Sequence, residues 1–125
     1  MHDPVARFLA DLAKDQPTFA ALAPLSPNSQ TPIGETPLQI AAVRGDTTAI
    51  AALIDAGAHL DTRGEHGYTA LHEAVAQRHA AAVALLLSRG ASTSIVNDDG
   101  YTPQQLAELH EHHDITPLFH GQPTA

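Results

Sequence analysis

Histidine and carboxylate are the side chains here whose types and spacing could do chemistry. Nine histidines and 14 Asp or Glu residues stand among 125 positions. Three of the histidines, His110, His112 and His113, run directly into Asp114. Neutral imidazoles with a carboxylate form a ligand set for Zn²⁺ or Ni²⁺. His79 precedes His112 by the same interval that separates Gly34 from Gly67 and Gly67 from Gly100, so a structure repeating at that interval would bring the two together. Against a metal site, neighbouring residues on one helix point in different directions, and structural zinc needs four converging ligands. A solvated polar end of the chain accounts for the same cluster without a metal. His72-Glu73 lacks the i+4 histidine of the H-E-x-x-H motif, and neither G-x-S-x-G nor a glycine-rich phosphate loop occurs. Glu108 and Glu111, at i and i+3, could pair carboxylates but read as a solvated face. The residues therefore predict no catalytic constellation, no cofactor and no enzyme.

Composition narrows the partners. The formal charge is −8, with six basic residues dispersed along the chain, whereas nucleic-acid affinity needs clustered Lys and Arg. Nucleic acid is not expected. Cysteine is absent, so neither a disulfide framework nor a thiolate metal site can form. No run reaches the roughly 20 apolar residues of a membrane helix, and no membrane association is expected. The opening MHDPVARFLADLAKD carries acid early and lacks the basic n-region of a signal peptide. A cytoplasmic protein is the expectation.

The elements that must position these groups come in copies. Gly67 to Ala91 reads as a turn, a short helix, a tight corner, a second apolar helix and a glycine stop. A helix pair of that kind cannot bury its faces alone. Gly34, Gly67 and Gly100 recur at one constant interval, as do Thr36-Pro37, Thr69-Ala70 and Thr102-Pro103, and Gly57-Ala58 recurs in the same register as Gly90-Ala91. In the first full copy Thr36 caps a helix with Pro37 at its first position and a packing face of Leu38, Ala41 and Ala42. Gly45-Asp46 turns the corner, Ile50, Leu53 and Ile54 line the second helix, and Gly57 ends it in a left-handed conformation. The second copy matches with Leu71, Ala74 and Val75, then Val83, Leu86 and Leu87, then Gly90.

The flanks are degenerate copies. Asp3-Pro4 opens a helix with Val5, Phe8, Leu9 and Leu12 on one stripe, ending near Lys14. A short helix over Pro17 to Ala23 follows, with Phe19 and Leu22 inward, and Pro24 to Pro32 reads as a loop. After Thr102-Pro103, Leu106, Ala107 and Leu109 keep part of the apolar face, with Gln104 where a Leu is expected. A second short helix is expected over Ile115 to His120, with Gly121 to Ala125 frayed. The expected organisation is a single domain over 1–125: an N-terminal cap at 1–33, repeats at 34–66 and 67–99, and a C-terminal cap at 100–125.

The pattern G-x-T-P-L-x-x-A-A-x-x-G-x, an aliphatic stripe and then G-A resembles the ankyrin repeat over residues 31–96, more weakly at the flanks. That resemblance implies an all-α solenoid of stacked helix-turn-helix units with β-hairpin-like finger loops and a concave surface made of fingers and first helices. Ala70 replaces the motif's Pro and Arg78 its corner Gly. Only His72 keeps the family's helix histidine, for which the resemblance implies a structural hydrogen-bonding role; Gln39 and Gln105 stand at its equivalents.

The resemblance also implies a binding module without catalysis, reading a partner protein at its finger tips and concave helix face. On the fingers the candidate contact residues are Glu35, then Glu65, His66 and Tyr68, then Asp98, Asp99 and Tyr101. On the first helices they are Val43 and Arg44, Ala76 and Gln77, Leu109 and His110. Tyr is enriched at interface hot spots, though each Tyr could equally pack on its own turn. The acidic tips make a basic partner the simplest inference, with the chain, a monomer, acting as an inhibitor, an immunity protein or a regulator. The alternative is a histidine-based metal-binding or metal-delivery protein using His79, His112 and His113.

Overall fold

Three threonines start three helices in the same way. Thr36, Thr69 and Thr102 each accept a hydrogen bond at Oγ1 from the backbone N–H at i+3. The side chain of that i+3 residue, Gln39, His72 or Gln105, accepts in return from the threonine N–H. These are reciprocal capping boxes, which satisfy two orphan donors at once. The computed structural model describes residues 3–21 and 25–120. Among them lie seven α-helices: α1 Pro4–Asp15, α2 Pro17–Ala20, α3 Pro37–Arg44, α4 Thr47–Asp55, α5 Ala70–Ala76, α6 Ala80–Ser88 and α7 Pro103–Leu109. Single 3₁₀ turns cover Glu65–Gly67 and Thr116–Phe119. No strand occurs among the described residues.

The helices stack in two rows. The inner row is α3 on α5 on α7, the outer row is α4 on α6, and α1 packs against α4 and α2. Asp3 caps α1 by accepting from the Val5 and Ala6 N–H groups, and Phe8, Leu9 and Leu12 are buried. Phe19 is fully buried in α2, whose helix stops at Ala20. The expected continuation to Ala23 and the inward Leu22 lie outside the described residues, as do the start of the loop at Pro24 and the fraying of Gly121 to Ala125. Leu71, Ala74, Val75, Val83, Leu86 and Leu87 are all buried, as expected, each larger side chain contributing about 1.5–3 kcal/mol. Ile54 is only half-buried, and Leu109 is 55% exposed and does not join the core. The expected final helix over Ile115 to His120 is a 3₁₀ turn, Thr116–Phe119, with Pro117 inside it.

Both kinds of corner close with paired backbone bonds. After α4, Ala58 N–H donates to Leu53 O and Gly57 N–H to Ile54 O; after α6, Ala91 donates to Leu86 O and Gly90 to Leu87 O. That is the Schellman arrangement, which needs a left-handed residue. The turns after α3, α5 and α7 use the same pair of bonds, with Gly45 at φ 68°, Arg78 at 59° and Glu111 at 56°. Only the first of these three left-handed sites has the residue that adopts it freely. At Gly45 a Cβ would also meet the His79 ring at 2.7 Å.

Candidate functional site

Between the two rows and the next unit, the chain runs out into fingers pinned at identical places. Thr31, Gly64 and Asn97 each donate their N–H to the carbonyl at i+4, on Glu35, Tyr68 and Tyr101, over 2.8–2.9 Å. The fingers are turns, not hairpins of strands. Cross-repeat bonds hold them in register: Asn28 accepts from His59 N–H at 2.8 Å, and Asp61, one repeat further on, accepts from Ser92 N–H at 2.8 Å. Asp98 N–H donates to His66 O at 3.0 Å, joining the second finger to the third.

The capping side chain at i+3 also ties a finger to the stack. Gln39 donates from Nε2 to Thr62 O at 2.9 Å and to Tyr68 O at 3.2 Å. His72, fully buried, has Nε2 2.9 Å from Tyr101 O and Nδ1 3.2 Å from Thr69 N. A backbone amide can only donate, so Nδ1 is the acceptor and Nε2 carries the hydrogen. Burial holds the His72 pKa below its usual value. The glutamine that replaces histidine in the first repeat thus makes the equivalent ties.

The predicted contact residues fall into two bands. On the fingers, Glu65, His66, Asp98 and Asp99 are exposed, while Glu35, Tyr68 and Tyr101 are half-buried. The Tyr68 ring sits 5.4 Å from the His72 ring, centroid to centroid. Burial and the nearby Glu73 and Asp99 carboxylates push its phenol pKa up. On the inner helices Arg44, Gln77, Leu109 and His110 are exposed, and Val43 and Ala76 are half-buried. Asp98 is less available than its exposure suggests, because Arg63 Nη2 lies 2.9 Å from its carboxylate. His66 Nε2 likewise lies 3.5 Å from the Glu65 carboxylate.

One member of this surface is missing from the sequence-based set. Glu73, half-buried on α5, has its pKa raised to about 7, first by burial and then by repulsion from Glu35 and Glu65, with His66 acting the other way. Three carboxylates from two fingers and a helix therefore share one patch. The available signal is positional. Glu73 stands one repeat after Ile40 and one repeat before Leu106, so an acid occupies a column that is otherwise aliphatic.

The corner histidines do not assemble a metal site. His79 donates from Nε2 to Val43 O at 3.0 Å, and His112 from Nδ1 to Val75 O at 3.1 Å. Each ring closes the end of the preceding inner helix. Asp114 is held 2.9 Å from Arg78, whose hydrogen bond keeps its carboxyl below the usual range. His113 is exposed, and the His110 and His112 rings stack at 5.6 Å. Among the described residues no group of three or more His, Cys, Asp or Glu converges as metal ligands would. The alternative set of His79, His112 and His113 finds no support here: stacking brings His79 and His112 to successive corners, but one ring nitrogen of each is aimed at a backbone carbonyl. No helix among the described residues is long and apolar enough to cross a membrane.

Comparison with known proteins agrees with this geometry. The family model for ankyrin repeats, in three copies, matches residues 8–97. A human protein, SH3 and multiple ankyrin repeat domains protein 2, is 52% identical over 52 residues, a match covering 40% of this chain and 3% of that protein. The chain thus spans a small fraction of the curated relative it matches. Capping boxes, left-handed corners, two helix rows and pinned fingers all recur once per repeat, and the chain belongs to the ankyrin repeat family.

Proposed function

We propose that this chain is a non-catalytic recognition module whose fingers and inner helices take a basic segment of a partner protein. Ankyrin repeats are generally protein–protein interaction modules, and no motif in the sequence supplies catalytic chemistry. The observation that carries the choice of partner is the patch of Glu35, Glu65 and Glu73. Mutual repulsion there helps to keep a proton on Glu73 up to about pH 7. A lysine or arginine placed among the three carboxylates relieves that repulsion. Tyr68, which the Glu73 carboxylate reaches, and Tyr101 on the next finger are half-buried and offer large rigid surfaces of the kind enriched at hot spots. Complementary charge also speeds encounter and excludes acidic competitors. A role as inhibitor, immunity protein or regulator of a basic protein fits this surface.

The test is affinity capture from lysate with three baits: the parent chain, a Tyr68→Ala/Tyr101→Ala variant, and a Glu35→Gln/Glu65→Gln/Glu73→Gln variant. A basic protein retained by the parent and lost by both variants supports the reading. Retention by both folded variants removes this surface from the interface.

A further inference from the structure

In the column Gln39, His72, Gln105 the first two members fasten fingers to the stack, and of these only His72 can take up a proton. Gln39 holds the finger around Gly64–Tyr68 with two donated hydrogen bonds. His72 holds the finger around Asn97–Tyr101 through Tyr101 O, the same carbonyl that closes the finger by accepting from Asn97 N–H at 2.8 Å. The neutral imidazole satisfies every group it faces: Nε2–H donates outward, and Nδ1 accepts from the Thr69 amide.

A proton on Nδ1 would oppose the Thr69 N–H, which cannot accept. One acceptor is in reach, the second lone pair of the Thr69 hydroxyl, 2.9 Å away, whose first takes the His72 N–H. Turning the ring proton to that hydroxyl strands the Thr69 amide and breaks the capping box. Among the described residues no carboxylate acts on the ring to compensate the charge. The preceding finger presents Arg63, which repels an imidazolium, and the neutral Tyr68 ring; the following finger presents Tyr101 through its carbonyl. Residues Ala80–Ser88 of α6 contain no ionisable side chain. The inner helices α3 and α7 carry one charge each, Arg44 and Glu108, both exposed in their last turns, away from the capping end where His72 lies. Glu73, the next residue on α5, belongs to the Glu35–Glu65 patch. The bond to Tyr101 O favours the charged ring, but burial outweighs it. A charged His72 must therefore move out to water, and both of its ties go with it.

We infer that His72 is an acid-sensitive catch: its protonation frees the Asn97–Tyr101 finger from the stack while the Gln39-held finger stays fastened. The device needs no partner to operate, so it stands independently of the function proposed above. It is also confined to one junction, because the amide at position 39 makes equivalent bonds without titrating.

Amide hydrogen exchange by NMR between pH 7.5 and 5.0, expressed as protection factors, tests it directly. In the parent, protection at Asn97 falls below pH 6.5 by up to about tenfold per pH unit, the limit for one proton taken up on opening, while Gly64 holds. In His72→Gln the two amides respond alike, because glutamine already serves at the neighbouring junction. The imidazole shifts of the parent provide a second readout, and His72 stays neutral below pH 6.5 until the finger opens. Parallel loss at Asn97 and Gly64 in the parent, or acid loss at Asn97 persisting in His72→Gln, overturns the proposal. So does a His72 ring that charges at or above pH 6.5 with the finger still protected.

Discussion

Replacing Glu73 by glutamine reads the electrostatics of the Glu35, Glu65 and Glu73 patch through stability alone. The folded chain holds the Glu73 proton to about pH 7, against an ordinary value of 4.5. Between those values the folded state binds more protons than the unfolded state, so this group makes stability rise as pH falls from about 7 toward 4.5. Above pH 7 the ionised carboxylate sits half-buried opposite Glu35 and Glu65 and costs stability. At about 1.36 kcal/mol per pH unit the full gap would be roughly 3.4 kcal/mol. The side chain is only half-buried, and water screens the repulsion, so about 1–2 kcal/mol is the expected cost. Glutamine keeps the shape and removes the charge. Urea unfolding followed by circular dichroism should therefore show Glu73→Gln more stable than the parent by about 1–2 kcal/mol at pH 8, a gap that shrinks through pH 5 and closes at about pH 3.5, below the unfolded value of 4.5. Added salt should narrow the gap at pH 8, because part of it is Coulombic. An equal gap at the two ends of this pH range, or a parent more stable at pH 8, would refute the reasoning.

Other perturbations test the frame that holds this surface. Leu86 is fully buried in α6, so Leu86→Ala should cost about 2–5 kcal/mol; a melting temperature within a degree or two of the parent's would contradict the stacked packing. Glu111 occupies a left-handed corner at φ 56°, and Glu111→Gly should stabilise by about 0.5–1 kcal/mol, since backbone strain is relieved at some entropic cost. Chemical denaturation measures that directly, and a destabilised variant would count against the strain. Gly67 and Gly90 both have positive φ, but a Cβ on Gly67 would lie 2.8 Å from the Asp98 amide nitrogen, whereas Gly90 faces open space. Gly90→Ala should thus cost about 1–3 kcal/mol of strain alone, and Gly67→Ala distinctly more in the same assay.

Much of the fold can be read from the constant spacing of the copies, because each carries its own start, stripe and stop. Thr36, Thr69 and Thr102 mark helix starts by a local hydrogen bond, and such signals need no tertiary context. What spacing does not carry is direction. His79 and His112 are neighbours by register, yet each ring points back to the end of the preceding inner helix. Gln39 looks like a departure at the position of His72, but an amide offers an acceptor and a donor in the same places as a neutral imidazole. Arg78 reads as a missing corner glycine, and the backbone nonetheless enters the left-handed region there, as it does at Glu111. The remaining corner bonds carry that strain. Glu73 is hidden for a different reason: its raised pKa depends first on burial and then on Glu35 and Glu65 in two fingers, and all of these arise only after stacking.

In the proposed function, a partner protein is read by the fingers and inner helices. Site-specific photo-crosslinking tests it most directly, with the crosslinker placed singly at Tyr101, Glu65 and Gln77 on that surface, and at Ala84 and Ser88 on the exposed side of α6. The expected result is that the captured basic protein is trapped from the first three positions and not from the last two. Trapping from Ala84 and Ser88, with none from Tyr101, Glu65 or Gln77, would contradict it.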